Sequence, residues 1–443
     1  MSEAPLVHVV VVDYGGGALT LACLRSLVAT DWPADRLRIV LVDNASPEPV
    51  TERVRAELAE VRVITSAVNR GFAGGSNLGL RERGDADFVA LVNNDATVDP
   101  GWLAPLVETL AADPRLGAAC PKILLAARSV EVRLSTPTRA RGRGDGRALG
   151  VRVSGARVAD DGDDGDDGDD GWRRTRLVEG FWGVEPMPAG EAGGQWTADD
   201  AMLRVPVPGR HAPETVDLRL AADGEVPVIA TSGPRRTRLT VGPHPAWHTI
   251  AVGAPAEDVI NNVGSVLRPD GYGADRGWLE VDRGQYDEPA DVDAWCGAAV
   301  LLRRAYLDEV GDFDESLFLY YEDIELSRRG AQHGWRYRTC PRSVVRHVHA
   351  ASSGEGSAVK DHYNERNRLL VTTRYEPLTR TSRLALRYLL ATGSYARRDV
   401  VAPLLRREPA DAEIVRRRLA AFAGFLRGAP SALRARRGAR TTR

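Results

Sequence analysis

The sequence predicts an α/β fold, a doubly wound and mostly parallel sheet, on three observations. Over the first 125 residues, apolar β-branched runs alternate strictly with stretches of helical spacing. Three of the runs end on an acidic residue: Asp13, Asp43 and Asp95. The same α/β character resumes near residue 259, after a β-rich interval.

Residues 6–12 (LVHVVVV) form a continuous apolar run, as in a parallel strand buried on both faces. Residues 18–30 (ALTLACLRSLVAT) put Leu21, Leu24, Leu27 and Val28 on one helical face. A second strand follows at 37–43 (LRIVLVD), then a helix in EPVTERVRAELAEV and a third strand in VRVIT. GGSNLGLRERG starts a third helix, DFVALV (87–92) is the fourth strand, GWLAPLVETLAAD is the fourth helix, and LGAACPKILL closes the series. Ligands of such sheets bind outside the carboxyl ends of the strands, where the three acidic residues gather.

Residues 1–130 therefore form one half of the α/β domain, and the pattern changes near 131. The segment 160–171 (DDGDDGDDGDDG) reads as a solvated acidic loop; it lacks the spaced aliphatic anchors of a calcium-binding repeat. Five β-type runs follow: AMLRVPV, TVDLRLAA, VPVIATS, TRLTV and HTIAV. Short runs with Pro and Gly between them predict a small antiparallel sandwich, inserted over 131–258. Trp172, Trp182, Trp196 and Trp247 lie in it, either as core or as platforms for sugar rings. The second half of the α/β domain spans 259–375, with a long helix from about Glu322 to His333 and two strands after it. Residues 376–443 form a helical tail in which sixteen Arg face four acidic residues from Arg380 onward.

With 59 basic and 61 acidic residues, whole-chain charge points to no polyanionic partner, and the tail has no nucleic-acid motif. Almost every cation is Arg; the lysines are Lys122 and Lys360. Four scattered cysteines without a CxxC pair fit a reducing cytosol. The N-terminus lacks the basic region and cleavage site of a signal peptide, and no apolar run approaches the ~18 residues that span a bilayer.

Asp43, in VLVDNAS, can accept hydrogen bonds from a ligand's imide or hydroxyls; an Asx turn or helix cap is the alternative. NRGFAGGSNLG (69–79) is a glycine-rich turn opening a helix. Gly71, Gly74 and Gly75 allow close backbone approach, Asn69, Arg70 and Asn77 offer polar contacts, and the helix N-terminus favours an anion. It is neither a Walker loop nor a GxGxxG after the first strand. Asp95, closing LVNNDA, is placed to hold a divalent cation that bridges two phosphate oxygens; capping the helix near Pro100 is the alternative.

VVVVDYGGG, VDNAS, NRGFAGGSNLG, LVNNDA, CGAAVLLRR, GDFDESLFLYYEDIELSRR and HVHAASS occur in this order. Together they resemble family 2 glycosyltransferases of the GT-A fold, most of all the branch of bacterial rhamnosyl- and galactofuranosyltransferases. The match covers roughly 6–125 and 259–370. The resemblance implies inverting transfer from a nucleotide-diphosphate sugar, UDP- or dTDP-linked, to a hydroxyl of a glycan or polyprenyl-linked glycan in bacterial cell-surface polysaccharide synthesis. It implies that Asp13 and Tyr14 touch the base, although the family usually has Asn at the position of Asp13. Asp43 would bind the base or ribose, and Asn69, Gly71, Gly74 and Asn77 would line the donor pocket. Asn93-Asn94-Asp95 stands where the family has a DxD-like signature, so Asp95 is the main anchor of a Mn2+ or Mg2+ ion, with Asn94 beside the nucleotide. His347 is the implied second ligand, with His349 as the alternative.

The Glu-Asp motif that carries the acceptor base in the family matches Glu322-Asp323. Asp323 is the expected base and Glu322 the second candidate, with Tyr320 and Tyr321 able to pack on sugar. Carboxylates at a helix start, Glu325 included, are also stabilised by the helix dipole alone. Trp295 is a candidate acceptor platform or a core residue. Lipid-linked acceptors make an anionic membrane surface a further expected partner. RRRLAAFAGFLRG (416–428) is the stretch best suited to it, in a cytoplasmic protein peripheral to the inner face of the plasma membrane. The competing readings are a nucleotide-sugar-binding protein without turnover and a nucleotidyltransferase. The latter would carry a basic residue in a glycine-rich signature at strand one, which VVDYGGGALT lacks.

Overall fold

A computed structural model of the protein describes residues 4–140, 147–158, 172, 174–182, 194–209, 211–349, 357–407 and 409–441; the acidic segment 160–171 lies outside them. The chain divides into two compact units, one of residues 1–124, 261–278 and 284–443 and one of 125–260 and 279–283.

The first unit is built on strands β1 (Val7–Asp13), β2 (Leu37–Asp43), β3 (Val61–Thr65) and β4 (Phe88–Val92), which pair parallel in the order β4-β1-β2-β3. The short β5 (Ala96–Val98) and the long β6 (Leu116–Leu125) follow. The sheet is parallel over four strands and mixed beyond them, because Ala299–Arg303 enters antiparallel between β4 and β6. Alternation along β1 sends Val7, Val9 and Val11 to one face and Val10 to the other. The first face is covered by helices α1 (Ala18–Val28), α2 (Thr51–Glu57) and α4 (Leu103–Ala112), through Leu24, Val54 and Leu106 among others. The second is covered by α3 (Gly71–Leu80) and the helices Arg304–Val310 and Glu322–Gln332, through Leu80, Leu307 and Leu326. The second helix is shorter than its sequence pattern, since Pro47 and Pro49 delay its start and Leu58 ends it. The two strands expected after the long helix are one, Arg336–His347.

The second unit has its own apolar core, with Val132, Val153, Leu203, Leu218 and Val228 fully or almost fully buried. Its antiparallel strands exceed the five expected. Arg128–Ser135, Arg152–Val158 and Arg176–Phe181 join them, and the expected run 201–207 is the end of the longer strand Gln195–Val207. The two ends of the strand path meet where the Ala251 N–H donates to Thr237 Oγ1 at 3.1 Å, so the sheet is rolled rather than open. Trp196 is core, Trp182 donates to the Ala148 carbonyl, and Trp247 is covered by the Arg157 guanidinium 4.4 Å from its ring.

Four helical segments complete the first unit: Ala358–Tyr375, Leu378–Tyr395, Ala402–Arg406 and Glu413–Thr441. No helix among the described residues is long and apolar enough to cross a membrane.

The close approach of α3 to β1 fixes the glycine-rich turn against the strand tips. A Cβ on Gly79 would stand 2.3 Å from Val10 Cγ1. Gly79→Ala is therefore expected to destabilise the first unit by about 1–3 kcal/mol, read as a lower denaturation midpoint for its transition; an unchanged midpoint would show that the helix can lift without cost.

Candidate functional site at the strand tips

Parallel register sets Asp13 directly beside Asp43 at the ends of β1 and β2. Both are buried and both turn inward. Asp13 Oδ1 accepts from Gly16 N, Thr20 Oγ1 and Asn94 Nδ2 at 3.0, 2.7 and 2.7 Å. Asn94 also donates to Thr20, so its amide is spent on tying β4 to β1 and α1. Asp43 Oδ1 accepts from Ser46 N at 2.9 Å, closing an Asx turn and leaving its other carboxyl oxygen without a protein hydrogen bond among the described residues. Tyr14, by contrast, is half exposed beside these tips.

The glycine-rich turn is held by amides. Asn44 donates to Asn69 Oδ1 and the Gly71 carbonyl and accepts from Arg70 N. Asn69 in turn accepts from Gly71 N. Gly71 has φ +68°, and a Cβ there would lie 2.2 Å from the Phe318 carbonyl oxygen. Gly74 runs close to Arg70 and Glu315. Asn77 is buried and exchanges hydrogen bonds with both backbone groups of Phe313, besides donating to Glu315 at 3.1 Å. It joins α3 to the loop before the long helix.

Asp95 follows the turn after β4, and β5 then pairs antiparallel with Arg336–His347, setting His347 opposite Ala96. That pairing brings His347 Nε2 to 3.0 Å from Asp95 Oδ1, both side chains almost fully buried. Burial pushes the Asp95 carboxyl up, but the charge and hydrogen bond of His347, and His349 beyond it, hold it below the usual range. His347 Nδ1 meets Asn261 Oδ1 at 2.7 Å. The Asn261 carbonyl oxygen accepts from Nδ1–H and fixes the ring, so that Nε2 faces Asp95; it donates to that carboxylate when it carries a proton and is free to ligate a cation when it does not. Two donors at right angles, each about 2.1 Å from a cation, stand about 3 Å apart, so the pair fits the edge of a coordination shell. Among the described residues no cluster of three or more His, Cys, Asp or Glu adds a third ligand. His349 is off the strand, with φ +63°, its ring 4.7 Å from that of Trp278 and edge-on to His347.

The helix Glu322–Gln332 starts from a strained loop. Phe318, Tyr320 and Tyr321 all have positive φ, between 63° and 70°. Asn367, fully buried, holds this loop by donating to the carbonyls of Leu317, Leu319 and Tyr320 at 2.9, 3.0 and 2.7 Å. Glu325 is a structural anchor, paired with Arg329 and Arg374 and accepting from Tyr375 OH. Trp295 is fully buried, edge-on to Phe313, and so belongs to the core.

Glu322 and Asp323 sit in different environments. Glu322 Oε2 is buried with no hydrogen-bond partner, and desolvation, then the Asp323 charge, push it well above the carboxylate range. Asp323 is partly exposed; its oxygens accept from Gly297 N at 3.1 Å and Ile324 N at 2.7 Å. Burial raises it to about 6, these hydrogen bonds oppose the rise, and the Asp275 charge adds to it.

Asp275, Asn261 and Asn262 are additions that the sequence reading missed. Asp275 ends the hairpin of Ser265–Leu267 and Gly273–Asp275, and its Oδ1 accepts from Asn262 Nδ2 at 2.5 Å. Its side chain is exposed to solvent yet surrounded by many protein atoms. That crowding raises its pKa, against the Asn262 bond and the charge of His347. It thus interacts both with the Asp95–His347 pair and with Asp323. The signal was present: VINNVG ends an apolar run on two amides, just as LVNND does.

A parallel strand-tip site with a carboxylate–imidazole pair, a glycine-rich helix start and two adjacent carboxyls at the start of an opposing helix defines a GT-A class α/β protein. The chain belongs to glycosyltransferase family 2. The profile described as Glycosyl transferase family 2 matches residues 8–144, and that described as Glycosyltransferase like family 2 matches residues 280–368. The N-acetylglucosaminyl-diphospho-decaprenol L-rhamnosyltransferase of Mycobacterium tuberculosis is 29% identical over 172 residues. That match spans 38% of this chain and 53% of the relative, so the chain aligns with about half of that protein's length. Among solved structures, GalNAc-T7 with UDP, GalNAc and Mn2+ is 14% identical with a TM-score of 0.43, over 84% of this chain and 48% of that one. The mannosyltransferase PcManGT of Pyrobaculum calidifontis with GDP-Man and Mn2+ is 15% identical with a TM-score of 0.40, over 99% and 74%.

Asn367 is the residue on which the pose of Asp323 rests. Asn367→Ala removes three hydrogen bonds and is expected to cost about 2–3 kcal/mol. Hydrogen exchange should speed up at the amides of residues 318–322; unchanged exchange there would show that the loop holds itself.

Proposed function

We propose that the chain is an inverting, metal-dependent glycosyltransferase. It takes a sugar from a UDP- or dTDP-sugar and adds it to a hydroxyl of a lipid-linked glycan in bacterial cell-wall polysaccharide synthesis. The observation that carries the reading is the buried Asp95–His347 pair at the tip of β4, with His347 oriented by Asn261. The name of the mycobacterial relative, a transferase acting on a decaprenol-linked diphosphate sugar, supports the lipid-linked acceptor.

Asp95 and His347 would hold the divalent cation, which when bound neutralises charge on the diphosphate. Asp43, through its uncommitted oxygen, and exposed Tyr14 are the contacts proposed for the base or ribose. Asp13, Asn94 and Asn77 position the elements that surround the nucleotide. Gly71 and Gly74 keep the start of α3 open to it, with Asn69 at the rim.

Asp323 takes the proton of the acceptor hydroxyl as that oxygen bonds to the anomeric carbon. The bond from the anomeric carbon to the diphosphate oxygen breaks, its electrons leave with the nucleoside diphosphate, and configuration inverts. Glu322 is the poorer base, since its Oε2 is buried with no hydrogen-bond partner and out of reach of an acceptor hydroxyl. The raised basicity of Asp323 comes from its own burial and from the nearby Asp275 charge.

Turnover of UDP- and dTDP-sugars with Mn2+ on a polyprenyl-diphosphate sugar tests this reading. Asp323→Asn should lower kcat by about 10²- to 10⁴-fold, and Asp95→Asn or a chelator should abolish turnover. The base works ionised, so wild-type rate should climb as pH rises through about 6 and level off above it. Nucleotide-induced thermal stabilisation with no turnover on any donor would favour a binding protein instead.

A further inference from the structure

Residues 416–428, the stretch of the basic tail best suited by sequence to a membrane, split their apolar side chains: Leu419 and Leu426 are exposed, and others turn inward. Ala421 and Phe425 are buried, and Gly424 runs against His362 and Arg366 of the helix Ala358–Tyr375. The denser exposed apolar surface lies on the preceding arm, the helices Leu378–Tyr395 and Ala402–Arg406 joined by a helical stretch of wider turn, Ala396–Val401.

Leu378–Tyr395 is apolar on two opposite faces. Thr381, Leu384, Tyr388 and Thr392, spaced by three and four, are buried against the rest of the unit. Leu386, Leu389 and Leu390 are offset from that row and face solvent. The outward face continues through Val401, Leu404 and Leu405, the last 81% exposed. Around it stand Arg383, Arg387, Arg397, Arg406 and Arg407, all exposed and without an ion-pair partner among the described residues. The single acid of the segment 378–407, Asp399, is already paired with Arg398.

We propose that this arm, residues 378–407, lies flat on an anionic phospholipid surface, its leucines in the acyl boundary and its arginines on lipid phosphates. Large apolar side chains and a ring of cations on one face are what an interfacial helix requires. A second copy of the chain suits the face poorly: a two-fold contact would set the same unpaired arginines against one another, and the arm's own acid, Asp399, is already paired. The same helical group holds the acceptor side of the site. Asn367 and Arg374 fasten the loop and the helix that carry Asp323, and Arg380 donates to the Pro269 carbonyl in the turn leading to Asp275. The arm would therefore bring the site to the surface in which a lipid-linked acceptor resides. This purpose rests on the acceptor reading given above, whereas the docking itself does not.

The test is co-sedimentation of the full chain with phosphatidylcholine vesicles, with and without about one-third phosphatidylglycerol, in the absence of donor and acceptor. Wild type should bind the anionic vesicles, release in high salt and ignore the neutral ones. Arg383→Gln/Arg387→Gln/Arg397→Gln should weaken partition about a hundredfold, and Leu390→Asp/Leu405→Asp should abolish it. All five positions are exposed, and an unchanged thermal melt would certify the fold. Equal binding to neutral and anionic vesicles, or equal binding by variants and wild type, overturns the proposal. So does a wild-type dimer that Leu390→Asp/Leu405→Asp splits without loss of vesicle binding. A chain that binds vesicles but turns over no sugar would sink the enzymatic reading and leave the docking standing.

Discussion

The contact between Asp95 and His347 is the constraint on which the rest of the site depends. The two residues lie at opposite ends of the α/β sequence and meet only because β5 pairs with the end of the strand Arg336–His347. An unpaired carboxylate at that depth would be costly, and an unpaired imidazole would lose its orientation. Each resolves the other's problem, and Asn261 completes the arrangement from a third segment. The pair is thus assembled by sheet pairing, and in the proposed reading a cation would take the place of this one contact.

A second constraint works where the helix Glu322–Gln332 begins. Three non-glycine residues in the left-handed region are an unfavourable way to begin a helix. The cost is met by one buried amide, Asn367, which accepts none of its neighbours' conformational preferences and satisfies three carbonyls that the twisted loop leaves pointing inward. The reward is that Asp323 faces Gly297 and the hairpin of Asp275, while Glu322 is driven into the protein. Two adjacent carboxylates thereby acquire different surroundings from geometry alone.

Much of this was legible in the sequence, and the exceptions have physical reasons. The parallel strands announced themselves because burial on both faces forces continuous apolar runs, and Asp95 and His347, read from motifs far apart in the sequence, come within 3.0 Å of each other. Asp13, Asn77 and Asn94 were legible as important residues, but not as residues facing inward: a motif marks polarity, and direction is set by the partners, which for Asn77 lie at Phe313 and Glu315. Asp275 escaped notice because its short hairpin has no periodicity to read. Three strands of the second unit were missed because glycine-broken and charged stretches around them blur the two-residue alternation. The outward leucines of the arm were read as ordinary helix packing, since spacing alone does not distinguish a face that meets protein from one that does not.

The chain enters the second unit at residue 125, leaves it at 260, returns at 279 and leaves again at 283. The returning piece is stitched in by the Leu279 N–H on the Ile260 carbonyl and the Ile260 N–H on the Glu280 carbonyl, at 3.0 and 2.8 Å. Splicing 125 directly to 260 would therefore not yield a trimmed enzyme. It would strip neighbours from a short ribbon that belongs to the removed piece, exposing raw backbone edges to stick to other molecules. A minimal version of the protein has to excise both stretches together, or carry the insert intact.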